Sequence, residues 1–201
     1  MRSMLRETLI VVTVIGLVGC HGAPGSETES AAAAPTPVAD KSFVAGGKIT
    51  LDLDGGGYEI KAAADNHIRV AANSTTATVD VTINGSQADV KIKNTPHSNF
   101  RAIVEVPATT DVVIRLAGGE LKVEGITGNK DVDSNAGNVR IAVGDPNQYA
   151  RVDAAVKAGD LDARPFGGSK SGLLQEFTWS GSGKYFLRAH LGAGNLVLAG
   201  K

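Results

Sequence analysis

The sequence predicts an all-β fold: a right-handed, single-stranded β-helix or solenoid-like stack of short strands, preceded by a less regular N-terminal β-meander. Three observations carry this. Short runs such as "KITLDL", "ATVDVTI", "ADVKIK" and "DVVIRL" alternate apolar and polar residues, and no dozen-residue stretch bears a helical stripe. Alternation of this kind marks strands with one buried face. One phrase recurs five times, as "AGGKITL" from Ala45, "AGGELKV" from Ala117, "NAGNVRI" from Asn135, "KAGDLDA" from Lys157 and "GAGNLVL" from Gly192. Around four of these copies the apolar positions keep one register.

That register is read by aligning Gly119, Gly137, Gly159 and Gly194. Two and four residues further on stand Leu121 and Val123, Val139 and Ile141, Leu161 and Ala163, and Leu196 and Leu198. Seven, five and three residues earlier stand Val112, Ile114 and Leu116, then Val152, Ala154 and Val156, then Leu187, Ala189 and Leu191. The copy at Gly137 offers the weaker set Lys130, Val132 and Ser134. Each unit therefore reads strand, small-residue corner, strand. One such coil cannot bury its apolar face alone, so coils stack. Small residues recur at the bend because chains about 4.8 Å apart leave little room there. The stretch from Lys41 to about Pro107 repeats less clearly, hence the expected meander.

Ahead of the domain lie two segments of another kind. Residues 1–19 have a basic start (Arg2, Arg6) and an apolar run, Leu9 to Val18, too short for a membrane-spanning helix, which needs roughly 20 residues. It reads as a secretory signal. Leu17-Val18-Gly19-Cys20 resembles the lipobox of bacterial lipoproteins, which implies cleavage after Gly19 and a lipidated Cys20 as the first mature residue. Cys20 is the only cysteine, so no internal disulfide is expected. His21 rather than Asp follows it, which leans toward the outer membrane. Residues 20–40, "CHGAPGSETESAAAAPTPVAD", offer almost nothing to bury and read as a flexible tether. The domain is expected over 41–201.

The order "DGGGYEIKAAADNHIRVAAN" (from Asp54), "VEVP" (from Val104), "AGGELKVEGITGNKDVDSNAGNVRI", "KAGDLDA", "FTWSGSG" and "LGAGNLVL" resembles the bacterial putative-adhesin domain of unknown function. The resemblance covers nearly all of 41–201. It implies a β-helical envelope domain, often exported or membrane-anchored, with no established enzymatic activity.

No motif proposes chemistry. "DLDGGG" from Asp52 and "DVDSNAG" from Asp131 fail as calcium loops, having Ala63 and Ala142 where a bidentate Glu is required. The four histidines share no metal-ligand spacing, and there is no G-x-S-x-G elbow. No cofactor, metal or catalytic residue is expected. Removing Arg2, Arg6 and Glu7 with the signal leaves 18 basic and 20 acidic side chains, a balance that gives no reason to expect nucleic acid. Two groups have alternative readings that a structure separates. Phe177, Trp179 and Tyr185, with Phe166 and Phe186, either form a ligand surface or cap the last coil. The corner column Glu120, Asn138, Asp160 and Asn195 either stacks oxygens for a cation or consists of solvated turn formers. The function expected is that of a non-catalytic, lipid-anchored envelope protein whose β-helix is a binding or signalling scaffold. Its partner would be an envelope protein or cell-wall glycan. The alternative is a glycan-binding or polysaccharide-processing β-helix, for which Asp131, Asp133 and Asp153 are the nearest carboxylate cluster.

Overall fold

The computed structural model describes residues 33–200, so Cys20, the signal segment and most of the expected tether lie outside the described residues. Within them the chain is all-β. Its strands are β1 (Thr36–Ser42), β2 (Lys48–Leu53), β3 (Gly56–Ala63), β4 (His67–Ala72), β5 (Thr78–Asn84), β6 (Gln87–Lys93), β7 (Arg101–Pro107), β8 (Asp111–Leu116), β9 (Gly119–Glu124), β10 (Lys130–Gly144), β11 (Tyr149–Ala163), β12 (Gly168–Ser180) and β13 (Tyr185–Gly200). Regular structure begins at Thr36, ahead of Lys41, because β1 needs only the backbone of β4 to pair with and packs Ala39 against the core.

The repeated phrase does form a corner, in the expected register. Gly119 pairs with Gly137, Gly137 with Gly194, and Gly194 with Gly159. All four have φ between 120° and 134°, where an L side chain is strained. A Cβ on any one would overlap the carbonyl oxygen of the glycine on a neighbouring strand. Before the corner, β2, β8 and the first arms of β10, β13 and β11 stack in parallel; after it, β3, β9 and the second arms do the same.

The first copy behaves differently. "AGGKITL" is the turn entering β2, and Gly47 is needed there because a Cβ would meet Phe43 Cζ at 2.5 Å. The corner of that unit is Gly56, which pairs with Gly119. The N-terminal third is therefore not a meander leading into the coils. Its β2–β3 unit is a full member of the column, flanked in parallel by β6 and β7. Only β1, β4 and β5 add antiparallel strands at that end.

The order of stacking also differs from the one expected. A single-stranded helix places consecutive coils side by side. Here β13, the last strand, lies between β10 and β11, and β12 runs antiparallel along the far side of β11. The outward face is compatible with this order. Asp131 of β10 and Asp153 of β11 occupy the same register position, and Arg188 of β13 pairs with both. Were β11 directly beside β10, two carboxylates would stand opposite each other, which is destabilising. The inserted strand replaces that repulsion with Arg188 Nη1 at 2.8 Å from Asp131 Oδ1 and 2.9 Å from Asp133 Oδ2.

Inward side chains of both arms meet in one hydrophobic cluster, from Ile49, Leu51 and Leu53 through Ile114 and Ile141 to Leu161, Leu187 and Leu198. The register even carries Lys130 inside, between Val112 and Leu187, where it is 2% exposed. Its Nζ donates to Tyr149 Oη at 3.0 Å and to the Gly128 carbonyl at 3.2 Å. Burial pulls its pKa down to about 8, with Asp111 opposing in part.

Candidate functional site

The three aromatic residues singled out in the sequence come together at the β12 end of the stack. Phe177 and Trp179 alternate on the inward face of β12, opposite Ala154 and Val152 of β11. Tyr185 opens β13 beside Tyr149. All three pack partly buried against the core. The turn Arg164–Phe166 ends at Gly167 in the left-handed conformation and drops Phe166 beneath the cluster. Its ring lies 5.0 Å from that of Trp179 and 5.7 Å from that of Tyr149, and Tyr149 lies 6.3 Å from Tyr185. Burial, reinforced by Tyr185, pushes the Tyr149 phenol up to about 12. These rings close the end of the core, with Phe166 tilted against Trp179.

Beside this cap the outermost strand turns the corner with its side chains in solvent. Leu173 and Leu174 are 75% and 77% exposed. Leu174 has φ 53°, and among the described residues the only other non-glycine positive φ values belong to Asn94 and Asn99. Asparagine tolerates that region and leucine does not, so the conformation is held by the surrounding strand pair. Lys170 faces inward opposite Leu161 and is exposed, its Nζ donating to the Glu176 carbonyl. An inward lysine and a bend are devices that keep an edge strand from pairing at random.

The carboxylates considered for polysaccharide chemistry do not form a pair. Asp131 and Asp133 lie together on β10, but β13 separates them from Asp153 by two strand spacings, roughly 9.6 Å. Arg188 and His190 fill the gap, and Arg115 approaches from the other side at 3.0 Å from Asp131 Oδ2. Burial pushes the Asp131 carboxyl up, but hydrogen bonds from Arg115 and Arg188 outweigh it and hold it below the usual range. A group compensated in this way is not a general acid.

The same compensation extends across both outward faces. One row reads Asp80, Lys91, Asp52, Arg115 and Asp133 over five neighbouring strands. The other arm reads Asp40, Arg69, Glu105, Lys61 and Glu124. Neither face presents a stripe of one sign. At the corner, Asn195 Nδ2 donates to Asn138 Oδ1 at 2.9 Å, so the middle of that column is an amide ladder. Among the described residues no group of three His, Cys, Asp or Glu is placed to hold a metal ion.

One constellation had no motif to announce it. The β1–β4 register sets Ser42 opposite His67 and Asp40 opposite Arg69. Ser42 Oγ lies 3.3 Å from His67 Nε2, and His67 Nδ1 lies 2.6 Å from Asp40 Oδ1. The only sequence signal is the i, i+2 spacing of Asp40 and Ser42 on one strand, paired across a long connection with His67.

No protein-family model matches this chain, and no curated protein does. Among solved structures, a putative cell adhesion protein from Clostridium sporogenes ATCC 15579 superposes with a TM-score of 0.51 and 14% identity, over 84% of this chain and 100% of that one. At that identity the likeness concerns the fold. A putative adhesin from Parabacteroides distasonis ATCC 8503 gives a TM-score of 0.26 and 11% identity over 83% of this chain and 70% of that one, too low to support anything further.

Proposed function

We propose that this protein is a bacterial envelope lipoprotein, lipidated at Cys20 and held at the outer membrane, whose stacked β domain is an adhesin-like scaffold for binding another envelope protein. The observation that carries the binding surface is Leu174, a branched apolar residue kept both in solvent and in a backbone conformation that costs roughly 1–2 kcal/mol. Strain of that kind persists where a function selects it. With Leu173 it forms an exposed apolar tip where β12 passes the corner. The fold shared with a protein described as a putative cell adhesion protein supports the same reading. A glycan platform is less well supplied, because Phe177, Trp179 and Tyr185 all pack partly buried against the core.

Binding of the purified chain to envelope preparations tests this. The double variant Leu173→Asp/Leu174→Asp is expected to lose retention while melting normally, since both side chains are exposed and Asp accepts positive φ more readily than Leu. Retention that survives protease treatment of the envelope but is lost on glycan digestion overturns the protein-partner reading in favour of cell-wall glycan. For the anchor, Cys20→Ala is expected to move the protein from the membrane to the soluble fraction. Unchanged membrane association would refute lipidation as the tether.

A further inference from the structure

We propose that Ser42, His67 and Asp40 form a nucleophilic triad that accepts an acyl group from an activated carboxylic ester with a short apolar acyl chain. This goes beyond the binding reading and does not depend on it.

The hydrogen bonds fix the roles. The Asp40 carboxylate is held below the usual range, first by its hydrogen bond with His67 and then by Arg69, so it is ionised at neutral pH and accepts from Nδ1–H. That leaves the lone pair of the neutral imidazole on Nε2, facing Ser42 Oγ, whose hydroxyl donates to it. The carboxylate is itself positioned. Arg69 Nε donates to Asp40 Oδ2 at 3.2 Å while Arg69 Nη2 donates to Asp65 Oδ2 at 2.5 Å. All three triad side chains stand on paired strands, which hold geometry better than loops.

Ser42 and His67 border a shallow, open depression of about 440 Å³ that Phe43, Val44 and Ile83 line on one side and Asp65 and Asn66 on the other. Its apolar side, Val44 and Ile83, has room for a small acyl group and no more. In the first step Ser42 Oγ attacks the ester carbonyl carbon as its proton passes to His67 Nε2. The C–O bond to the leaving alcohol breaks, and the imidazolium protonates the departing oxygen, leaving acyl-Ser42. Water, giving its proton to His67, then attacks the acyl carbon; the acyl C–Oγ bond breaks and His67 passes that proton to Oγ, releasing the carboxylic acid and restoring the serine.

The geometry also sets an upper bound on rate. The backbone N–H after a nucleophile often serves the oxyanion, but here Phe43 N–H is already donated to the Asn66 carbonyl at 2.8 Å. Asp40 is also 55% exposed, which weakens its hold on the imidazole. General-base activation alone is worth about 10²- to 10⁴-fold, so the substrate needs a good leaving group, and labelling of the serine is a better readout than turnover.

The test uses the full chain with a fluorophosphonate probe and with p-nitrophenyl acetate. The expected result is one phosphonyl adduct, located on Ser42 by mass spectrometry and absent in Ser42→Ala. His67→Ala should slow adduct formation about 100-fold with the melting temperature unchanged. Asp40 acts as a positioning residue: Asp40→Asn should lower the labelling rate, and Asp40→Glu should recover most of it. The proposal fails if Ser42 is not labelled, if the adduct sits elsewhere, or if folded His67→Ala is labelled at the wild-type rate.

Discussion

At the corner, the strands meet through glycine backbones, and each position is dictated by the absence of a side chain. On the outward faces they meet through charged side chains, each position dictated by what stands on the next strand. The two regions do different jobs. The glycine column sets register, strongly enough to draw Lys130 into the core because its place in the unit is an inward one. The charged rows fit the observed order, in which Arg188 of β13 stands between Asp131 of β10 and Asp153 of β11. Register is thus a property of each unit, whereas order is a property of pairs.

The sharpest way to break this contrast is Gly137→Ala. A Cβ there would overlap the Gly119 carbonyl and must force neighbouring central strands away from each other. A loss of about 4 kcal/mol or more is expected, seen as a collapse of the cooperative melt. Gly144→Ala is the control. With φ 67° and no atom within 4 Å of the added carbon, it should cost only roughly 1–2 kcal/mol.

Next in size is the cost of drawing Lys130 inside. Its folded pKa of about 8 lies below the ordinary 10.5, so the charged form is penalised by roughly 3 kcal/mol at neutral pH. Between about pH 8 and 10.5 the folded state has released the proton and the unfolded state still holds it, so stability rises with pH. Tyr149 acts in the opposite sense: its folded pKa of about 12 exceeds the ordinary 10, so stability falls above about pH 10. Denaturant unfolding across pH should therefore peak near 10, and Lys130→Met should remove the rise between 8 and 10.

The smallest effect tests the charged row. Each side chain in it is partly exposed, so Arg188→Ala should cost about 1 kcal/mol or less. Arg188→Glu adds another carboxylate beside Asp131, Asp133 and Asp153. It should cost more than the alanine variant in low salt, with the difference shrinking at 1 M salt, where the screening length is about 3 Å.

The same contrast explains what could be read in the sequence. The corner motif was legible because steric exclusion at a bend demands a small residue whatever lies elsewhere. The inward residues of four units followed from it, the weaker set Lys130, Val132 and Ser134 included. Strand order was not legible. Nothing in "DVDS" or "RVDA" alone says that "LRAHL", well beyond the latter, will separate them; order depends on how three distant segments fit together. The first corner was misplaced because "AGGKITL" mimics the motif while "GGGYEI" spells it with glycine alone. The aromatic cap was legible as a cluster, but not its use of Phe166 beneath Trp179. The triad escaped because a hydroxyl, an imidazole and a carboxylate on two strands have no fixed spacing.

The central place of β13 has a consequence for how the molecule is made. A chain that emerges N-terminus first presents β10 and β11 well before the strand that must lie between them. Until residues 185–200 arrive, those two can stay apart or pair with two aspartates opposed. The finished domain is then closed by an insertion rather than by the addition of one more layer. Non-local parallel pairing of this sort is slow. Deleting the 16 residues of β13 would therefore remove a keystone from the middle of the sheet rather than trim its edge.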